Sequence, residues 1–379
     1  MTDQTPLLIE KRASYLELFF DLVFVFAITQ VSALLHAKPN AQGLIEGGLL
    51  LFMLWWTWSL YTWTTNWTGT ERLGLRLALL GAMGASLLMA KSVPDAFGDG
   101  GTWFAWEYLA VRLFAGAIYW IGSRHSPTQR AALLTFLPLS VLAPLLVVAG
   151  GYLAGSARLG MWALAMAVDF ASAAAAGRGT WEVDAGHFAE RNGLFVIIAL
   201  GESIVAIGLG ASGAERTAGR LFALVVAFLG AAALWWSYFD RAARASEEYL
   251  KEVEGQERGR FARDAYTLLH FPVVLGIVLY AAGAEEVVAH PESPLGAEFR
   301  LALAAGVGLL MVAVVAGTYR AFRRLPVERL VLVAVLIALA VRGGGLPAAL
   351  FAAFTVVATV AVLVQEGRHS WPQRRVADV

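Results

Sequence analysis

Two carboxylates stand four residues apart in an apolar, aromatic-rich stretch, residues 14–30, which reads SYLELFFDLVFVFAITQ. Four residues are just over one helical turn, so Glu17 and Asp21 share one face of a helix. An ionised carboxylate in hydrocarbon is costly even on the mildest insertion scales. We therefore expect this face to turn toward protein or water at the centre of the molecule.

A second apolar stretch, residues 187–203, also carries charges. On a helix, His187, Arg191 and Glu202 fall on one side. Arg191 and Glu202 lie eleven residues apart, about 16 Å along a helix axis, so they cannot pair within one helix. Arg191 is therefore a predicted partner for one of the two carboxylates of the first stretch, and Glu202 must find its partner on another element.

Buried acids of this kind suit proton or cation binding, because two carboxylates at close range cannot both ionise and so share a proton. The sequence predicts that Asp21 and Glu202 form such a pair, close together or in a shared water-filled cavity. Arg191 would be the nearest charge partner, and Glu17 would modulate Asp21. Ser203 would supply a hydroxyl on the substrate side. The alternative is that these acids are hydrogen-bonded packing elements only.

Other polar residues also lie inside apolar segments. His270 precedes Pro272, whose ring frees a backbone carbonyl if the helix continues through it. His270 is predicted either as a binding residue or as a core histidine with both nitrogens satisfied. For Asp169 a role in a pathway and a structural role are both left open. Glu107 and Arg112 are expected to be structural, near an interface that an arginine side chain can reach. No His-x-x-x-His or similar ligand spacing occurs, so no metal site is predicted and no cofactor is indicated.

Composition defines the class of protein. The chain of 379 residues is 58% hydrophobic and 15% charged, with a mean hydropathy of +0.63, whereas soluble domains are about 45–50% apolar and about 25% charged. The net charge is zero, which gives no indication of nucleic-acid binding. The absence of cysteine excludes disulfides and thiolate chemistry. We predict an all-α, polytopic membrane protein.

Twelve segments approach the roughly 20 apolar residues that a membrane-spanning helix needs. They are residues 15–36, 43–65, 73–93, 103–122, 131–152, 157–176, 192–212, 219–239, 263–283, 299–318, 327–341 and 346–364. The eleventh is short and is joined tightly to the twelfth, so ten or eleven spans are the alternatives.

The distribution of Lys and Arg predicts the orientation. Twenty of these residues fall on the side of the N-terminus and seven on the opposite side. We expect both termini and the charged loop 240–262 in the cytoplasm.

Short motifs recur in the two halves of the chain, which is typical of a repeated architecture. Asp21 and Glu202 precede two copies of Leu-Trp-Trp by nearly equal intervals. The matches are Leu-Trp-Trp at 54–56 and 234–236, and Pro-x-x-Arg at 127–130 and 326–329. We predict two parallel six-helix repeats, residues 1–177 and 178–379, the arrangement of some secondary transporters.

Tryptophans cluster in two of the predicted spans. They are Trp55, Trp56, Trp58, Trp63 and Trp67 in the second span and its exit, and Trp235 and Trp236 at the end of the eighth. An aromatic belt at the membrane interface is the ordinary explanation. Trp55 and Trp56 lie deepest, and a stacking wall for a ligand is the alternative for them.

Two long motifs resemble a known family. Glu-Leu-Phe-Phe-Asp-Leu-Val-Phe-Val at 17–25 and Glu-Arg-x-Gly-Leu-Phe-x-Ile-Ile-x-Leu-Gly-Glu-Ser at 190–203 are similar to motifs of the bacterial low-temperature-requirement protein A family. The runs 55–58 and 238–240, and His270 with the residues after it, also resemble its pattern. The resemblance implies a multi-pass protein of the bacterial cytoplasmic (inner) membrane and no particular substrate or reaction.

Three functional classes fit these observations. The leading hypothesis is a secondary transporter, proton-coupled through the buried carboxylates, that moves a small molecule or an ion. The alternatives are an intramembrane enzyme acting on a lipid or isoprenoid, and a membrane sensor or scaffold. Membrane lipids are the expected surroundings in each class, and the sequence indicates neither a solute nor an oligomeric state.

Overall fold

The computed structural model describes residues 12–68, 72–176, 181–213 and 215–368, and within them the chain is helical with no β-strand. The first part contains α1 (Tyr15–Ala37), α2 (Ala41–Thr68), α3 (Leu73–Lys91), α4 (Gly101–Gly122), α5 (Pro127–Gly151) and α6 (Gly155–Ala176). The second part contains α7 (Ala185–Gly210), α8 (Ala218–Ser237), α9 (Ala243–Glu252), α10 (Gly255–Phe261), α11 (His270–Ala289), α12 (Ala297–Phe322), α13 (Val327–Arg342) and α14 (Ala348–Gly367). Two π-helical stretches, Tyr238–Ala242 and Ala262–Leu268, adjoin α8 and α11.

Nine helical segments of the described residues are long and apolar enough to cross a membrane. They are α1, α2, α3, α5, α7, α12, α14, the segment Ala218–Glu252 with α8 and α9, and the segment Gly255–Ala289 with α10 and α11. The prediction of an all-α, multi-pass protein is confirmed. Each of the twelve predicted segments overlaps a helix, but α4, α6 and α13 are not among the nine, so the count of twelve stays a prediction.

The two helices that carry the motifs begin at strong caps. Ser14 accepts from the backbone N–H of Glu17 at 3.3 Å, and the Glu17 carboxylate accepts from the Ser14 backbone N–H at 2.9 Å, which is a reciprocal capping box. Asp184 caps α7 by accepting from the His187 N–H at 3.0 Å. Glu17 and His187 therefore lie in the first turns of α1 and α7.

Four helix pairs of the first part match helix pairs of the second part in chain order. Helix α1 packs on α3 as α7 packs on α11, and α3 packs on α4 as α11 packs on α12. Likewise α4 contacts α5 as α12 contacts α13, and α2 contacts α6 as α8 contacts α14. The boundary between residues 177 and 178 lies outside the described residues.

Contacts between helix ends define two sides of the bundle. On one side, Asn66 at the end of α2 donates to the Asp184 carbonyl before α7 at 3.0 Å. On the other, Arg220 near the start of α8 donates to the Val288 carbonyl at the end of α11 at 3.3 Å. Helices α1 and α7 therefore run in the same direction, beginning on the side where α2 ends.

The predicted charged loop, residues 240–262, is helical. Its exposed ion pair, Lys251 with Glu247 at 2.8 Å, joins residues one helical turn apart. The segment is more than a solvated loop, because Leu250 and Phe261 are buried in a satellite apolar cluster that also holds Phe188 of α7. It thus covers the beginning of α7.

Helices α11 and α12 approach closely through glycines. A Cβ atom on Gly306 would lie 2.7 Å from the Gly276 carbonyl oxygen, and one on Gly276 would lie 2.5 Å from that of Gly306. Small residues of this kind allow close backbone packing in membranes, where no hydrophobic force drives helices together. No side chain fits at either position without a shift of the backbone.

Gly306→Ala should therefore destabilise the protein, although alanine ordinarily stabilises a helix by about 1 kcal/mol relative to glycine. Gly317→Ala in the same helix is the matched control, because a Cβ there meets no atom within 4 Å. Thermal unfolding of the purified variants should give a lower Tm for Gly306→Ala and an unchanged or higher Tm for Gly317→Ala. Equal melting temperatures for the two would contradict the close approach.

Candidate functional site

The centre of the site is one guanidinium group between two carboxylates. Arg191 of α7 lies 2.9 Å from Glu17 Oε1 through Nη1 and 2.7 Å from Asp21 Oδ1 through Nη2. All three side chains are buried. The predicted pairing of Arg191 with a carboxylate of α1 is present, and it involves both carboxylates. We call Glu17, Asp21, His187 and Arg191 the α1–α7 charge cluster.

Helix α2 completes the surroundings of Asp21. The indole N–H of Trp58 donates to Asp21 Oδ1 at 2.8 Å, and the Arg191 guanidinium lies 5.8 Å from the centre of that ring. Both donors therefore reach the same oxygen. The other oxygen, Oδ2, is buried and has no hydrogen-bond partner among the described residues.

Hydrogen bonds settle the state of His187. The Asp184 backbone N–H donates to Asn66 Oδ1 at 2.8 Å, which orients the amide and leaves Nδ2 as the donor toward His187 Nδ1 at 3.1 Å. Nδ1 must then be an acceptor, and Nε2 carries the hydrogen toward Glu17 at 3.3 Å. In this arrangement the imidazole of His187 is neutral.

The charges of the cluster do not balance. Glu17 and Asp21 bring two negative charges when ionised, Arg191 brings one positive charge, and the neutral His187 brings none. Within the described part of the chain no further basic side chain pairs with them. A buried uncompensated charge is strongly unfavourable, so a bound proton or cation would neutralise the site.

Glu202 lies on a different level of the bundle. Thr29 of α1 donates to its carboxylate at 2.6 Å, and no described Lys, Arg or His pairs with it. Asp21 and Glu202 therefore do not form the expected direct pair. Thr29, which contacts Glu202, follows Asp21 by eight residues of α1, which places the two acids about 12 Å apart along the helix axis. The neighbouring Ser203 is buried, with its hydroxyl unpartnered among the described residues.

Apolar side chains occupy the interval between the two acids. Phe24 and Ile28 follow Asp21 on the buried face of α1, and Phe195 and Ala199 are buried on α7 between Arg191 and Glu202. Beyond Glu202, toward the far end of α1, His36 lies 3.8 Å from Glu285 of α11, and both are partly exposed. Titratable groups therefore line this interface on both sides of an apolar layer.

His270 is not part of the cluster. Its Nδ1–H donates to the Ala265 carbonyl at 2.7 Å, and its Nε2 lies 2.6 Å from the Tyr238 hydroxyl. Both ring nitrogens are thus satisfied, as in the core-residue alternative. The carbonyl of Ala265 is available because the π-helical stretch before Pro272 interrupts the α-helical hydrogen bonds.

Two further buried ion pairs lie away from the cluster. Arg112 of α4 binds Asp169 of α6 through both terminal nitrogens, at 2.6 and 2.8 Å. Arg329 of α13 binds Glu366 of α14 at 2.7 and 2.8 Å. Each pair is balanced in charge, which fits a structural role. The sequence reasoning placed Arg329 at a span end and missed its pairing with Glu366.

Sequence reasoning also missed Trp58 and Asn66 as members of the site. Trp58 falls in the predicted second span and Asn66 directly follows it, but periodicity within α2 alone does not show which face meets α1 and α7. No group of three or more Asp, Glu or His side chains in the described residues converges in a way that would hold a metal ion.

The helical bundle with charges buried at its centre is that of a multi-pass membrane protein. The model of the family described as bacterial low temperature requirement A protein (LtrA) matches residues 12–364, and the chain belongs to this family. An uncharacterized protein of Rhizobium meliloti (strain 1021) is 33% identical over 303 residues, which cover 76% of this chain and 71% of that protein. No solved structure matches the chain. A bacterial family with many apolar helices indicates the inner membrane.

Substitutions should separate the roles of the three charged residues. Arg191→Met leaves two buried carboxylates without their cation and should cost about 3–5 kcal/mol of unfolding free energy. Glu17→Gln puts an amide N–H against the donors of Arg191, His187 or Ser14 and should cost about 1–3 kcal/mol. Asp21→Asn should cost less than either, because its new N–H takes the place of the unpartnered Oδ2.

Unfolding of the purified variants in one detergent, followed by tryptophan fluorescence, tests this order. Asp169→Asn is the matched control, because both oxygens of Asp169 are bound by Arg112 and the amide would lose one of these bonds. If Asp21→Asn were as destabilising as Arg191→Met, Asp21 would be a permanently ionised partner and the inferred excess charge would be wrong.

Proposed function

We propose that the chain is a secondary transporter in which a proton binds to and leaves the α1–α7 charge cluster. The observation that carries this proposal is the excess negative charge at a buried site, together with the unpartnered Oδ2 of Asp21. A proton on Oδ2 neutralises the site without breaking the hydrogen bonds that Oδ1 accepts from Arg191 and Trp58.

Because the cluster joins α1 to α7, binding of this proton would weaken the contact between the two helices. We take the protein as two parallel six-helix halves, with α1 in the first and α7 in the second, and the matched packing of helices in the two parts supports this division. Protonation of Asp21 replaces a charge-assisted bond to Arg191 by a weaker bond to a neutral carboxyl group. The interface between the halves is then looser, which favours their relative movement.

Glu202 is a second proton-binding group in this mechanism. It lies beyond the apolar layer of Phe24 and Ile28, on the side of His36 and Glu285. A proton entering from that side meets Glu202 before Asp21, and the apolar layer separates the two until the halves move. The co-transported small solute or ion would pass between the same two halves, near Ser203.

The proposed topology has twelve spans, with both termini and residues 240–262 in the cytoplasm. It is supported by the excess of Lys and Arg on the side where α1 and α7 begin. The termini themselves lie outside the described residues. Reporter fusions at Met1 and Val379 test this orientation, and two ends on opposite sides would contradict it.

The enzyme hypothesis has less support. It requires the acids and His270 to converge on a pocket that opens to lipid. A cavity between α2, α4 and α5 does open in this direction, but its lining among the described residues includes no carboxylate and no imidazole. The balanced pairs of Arg112 and Arg329 fit a scaffold role for those residues, whereas the unbalanced cluster does not.

Infrared difference spectroscopy should detect the proton directly. Between low and high pH, the wild-type protein in lipid should show the carbonyl stretch of a protonated carboxyl group, which shifts on exchange into D2O. Asp21→Asn should remove this band, whereas Asp169→Asn should retain it because Asp169 is paired with Arg112. A band that persists unchanged in Asp21→Asn would exclude Asp21 as the proton site.

Cysteine labelling should detect the movement of the halves, because the chain contains no cysteine of its own. Single cysteines at Thr65, which contacts Arg191, and at Ser32, which lies beyond Phe24 and Ile28 on α1, report on the two sides of the apolar layer. Asp21→Asn, which mimics the protonated state, should change their labelling rates by a membrane-impermeant maleimide in opposite directions. Equal changes, or none, would contradict alternating access.

A further inference from the structure

A cavity of about 390 Å³ lies between α2, α4 and α5, apart from the α1–α7 charge cluster. Its volume falls within the roughly 300–1,000 Å³ of small-molecule pockets. Trp56 and Arg112 line its deep end, and Trp120, Trp181 and Arg263 line the other. Arg112 precedes Trp120 by eight residues of α4, so the cavity extends about 12 Å along the bundle.

The cavity opens sideways between α4 and α5. The residues at this opening are on the outer surface of the bundle, with Leu113 60% exposed, Val141 45% exposed and Trp120 40% exposed. In a membrane this surface faces the acyl chains. A ligand would therefore enter from the bilayer, and it must have a large apolar part.

The interior of the cavity suits an apolar chain. Its single deep charge, Arg112, is neutralised by Asp169, and most of the lining is aliphatic or aromatic. Trp56 is buried, and its indole N–H has no hydrogen-bond partner among the described residues. The deep end can thus accept a chain and one weak hydrogen-bond acceptor, but not a charged group.

One arginine at the mouth of the cavity, Arg130, has no carboxylate partner among the described residues. Its guanidinium lies 4.7 Å from the centre of the Trp120 ring. Arg263 also lines the mouth, but it is paired with Asp264 at 2.6 Å. Both are on the side where α7 begins, which also carries most of the Lys and Arg residues. Arginines at the membrane surface attract anionic lipid headgroups.

We propose that this cavity binds one anionic membrane lipid. An acyl or isoprenyl chain lies in the cavity, and the phosphate group of the lipid lies against Arg130. The site shares α2 with the charge cluster but none of its four charged residues. The lipid-binding proposal therefore does not depend on the transport proposal.

Native mass spectrometry tests the chain site. The delipidated protein is mixed with equal amounts of phosphatidylglycerol and phosphatidylcholine at a detergent concentration that removes annular lipid. The wild type should retain one phosphatidylglycerol. Gly116→Leu should abolish this binding, because Gly116 lines the cavity and a Cβ there meets no atom within 4 Å, so the new side chain fills the space without strain.

Gly84→Leu on α3 is the matched control, since its Cβ is equally unobstructed and lies outside the cavity. It should bind lipid as the wild type does. If Gly116→Leu retained the lipid, or if both variants lost it, the bound lipid would be adventitious and the proposal would be wrong.

Arg130→Gln tests the headgroup site. It should lower the preference for phosphatidylglycerol over phosphatidylcholine about fivefold, while total lipid occupancy in the cavity remains. A wild-type protein that takes the two lipids equally would overturn the anionic part of the proposal, as would an unchanged preference in Arg130→Gln.

Discussion

The double ion pair of Arg191 joins helices α1 and α7 at the centre of the charge cluster. Its planar guanidinium reaches Glu17 and Asp21 on successive turns of α1 while Arg191 itself belongs to α7. In the low dielectric of the membrane such groups are tolerated only when paired, so the relative position of α1 and α7 depends on this contact. Trp58, His187 and the cap of α1 are arranged around it.

Helix α2 borders the charge cluster on one face and the cavity between α2, α4 and α5, here called the lateral cavity, on another. Trp58 donates to Asp21, and Trp55 donates to the Thr267 carbonyl at 2.8 Å, whereas Trp56 lines the lateral cavity. The carbonyl of Thr267 is free because the chain is π-helical from Ala262 to Leu268, ahead of Pro272. The deep tryptophans therefore act as donors and walls inside the protein, and the aromatic-belt explanation does not apply to them.

Charge balance distinguishes structural pairs from the functional candidate. Arg112 with Asp169 and Arg329 with Glu366 are isolated one-to-one pairs, with both carboxylate oxygens bound. The α1–α7 cluster instead has two acids for one base and leaves an oxygen of Asp21 unpartnered. A one-to-one pair has no net charge to neutralise, whereas a cluster with two acids and one base loses its net charge when it binds a proton.

Local properties of the sequence determined the helical class, the shared face of Glu17 and Asp21, and the need of Arg191 for a partner outside α7. These follow from helical periodicity and from the energy of a charge in hydrocarbon, which act within one helix. Only the tertiary structure decided which groups meet. Asp21 lies level with Arg191, 170 residues later, and not with Glu202, with which the sequence analysis predicted a pair or a shared cavity. The same holds for Asn66 beside His187, for Glu366 beside Arg329 and for the lateral cavity, because the alignment of one helix against another is set by packing between residues far apart in the chain.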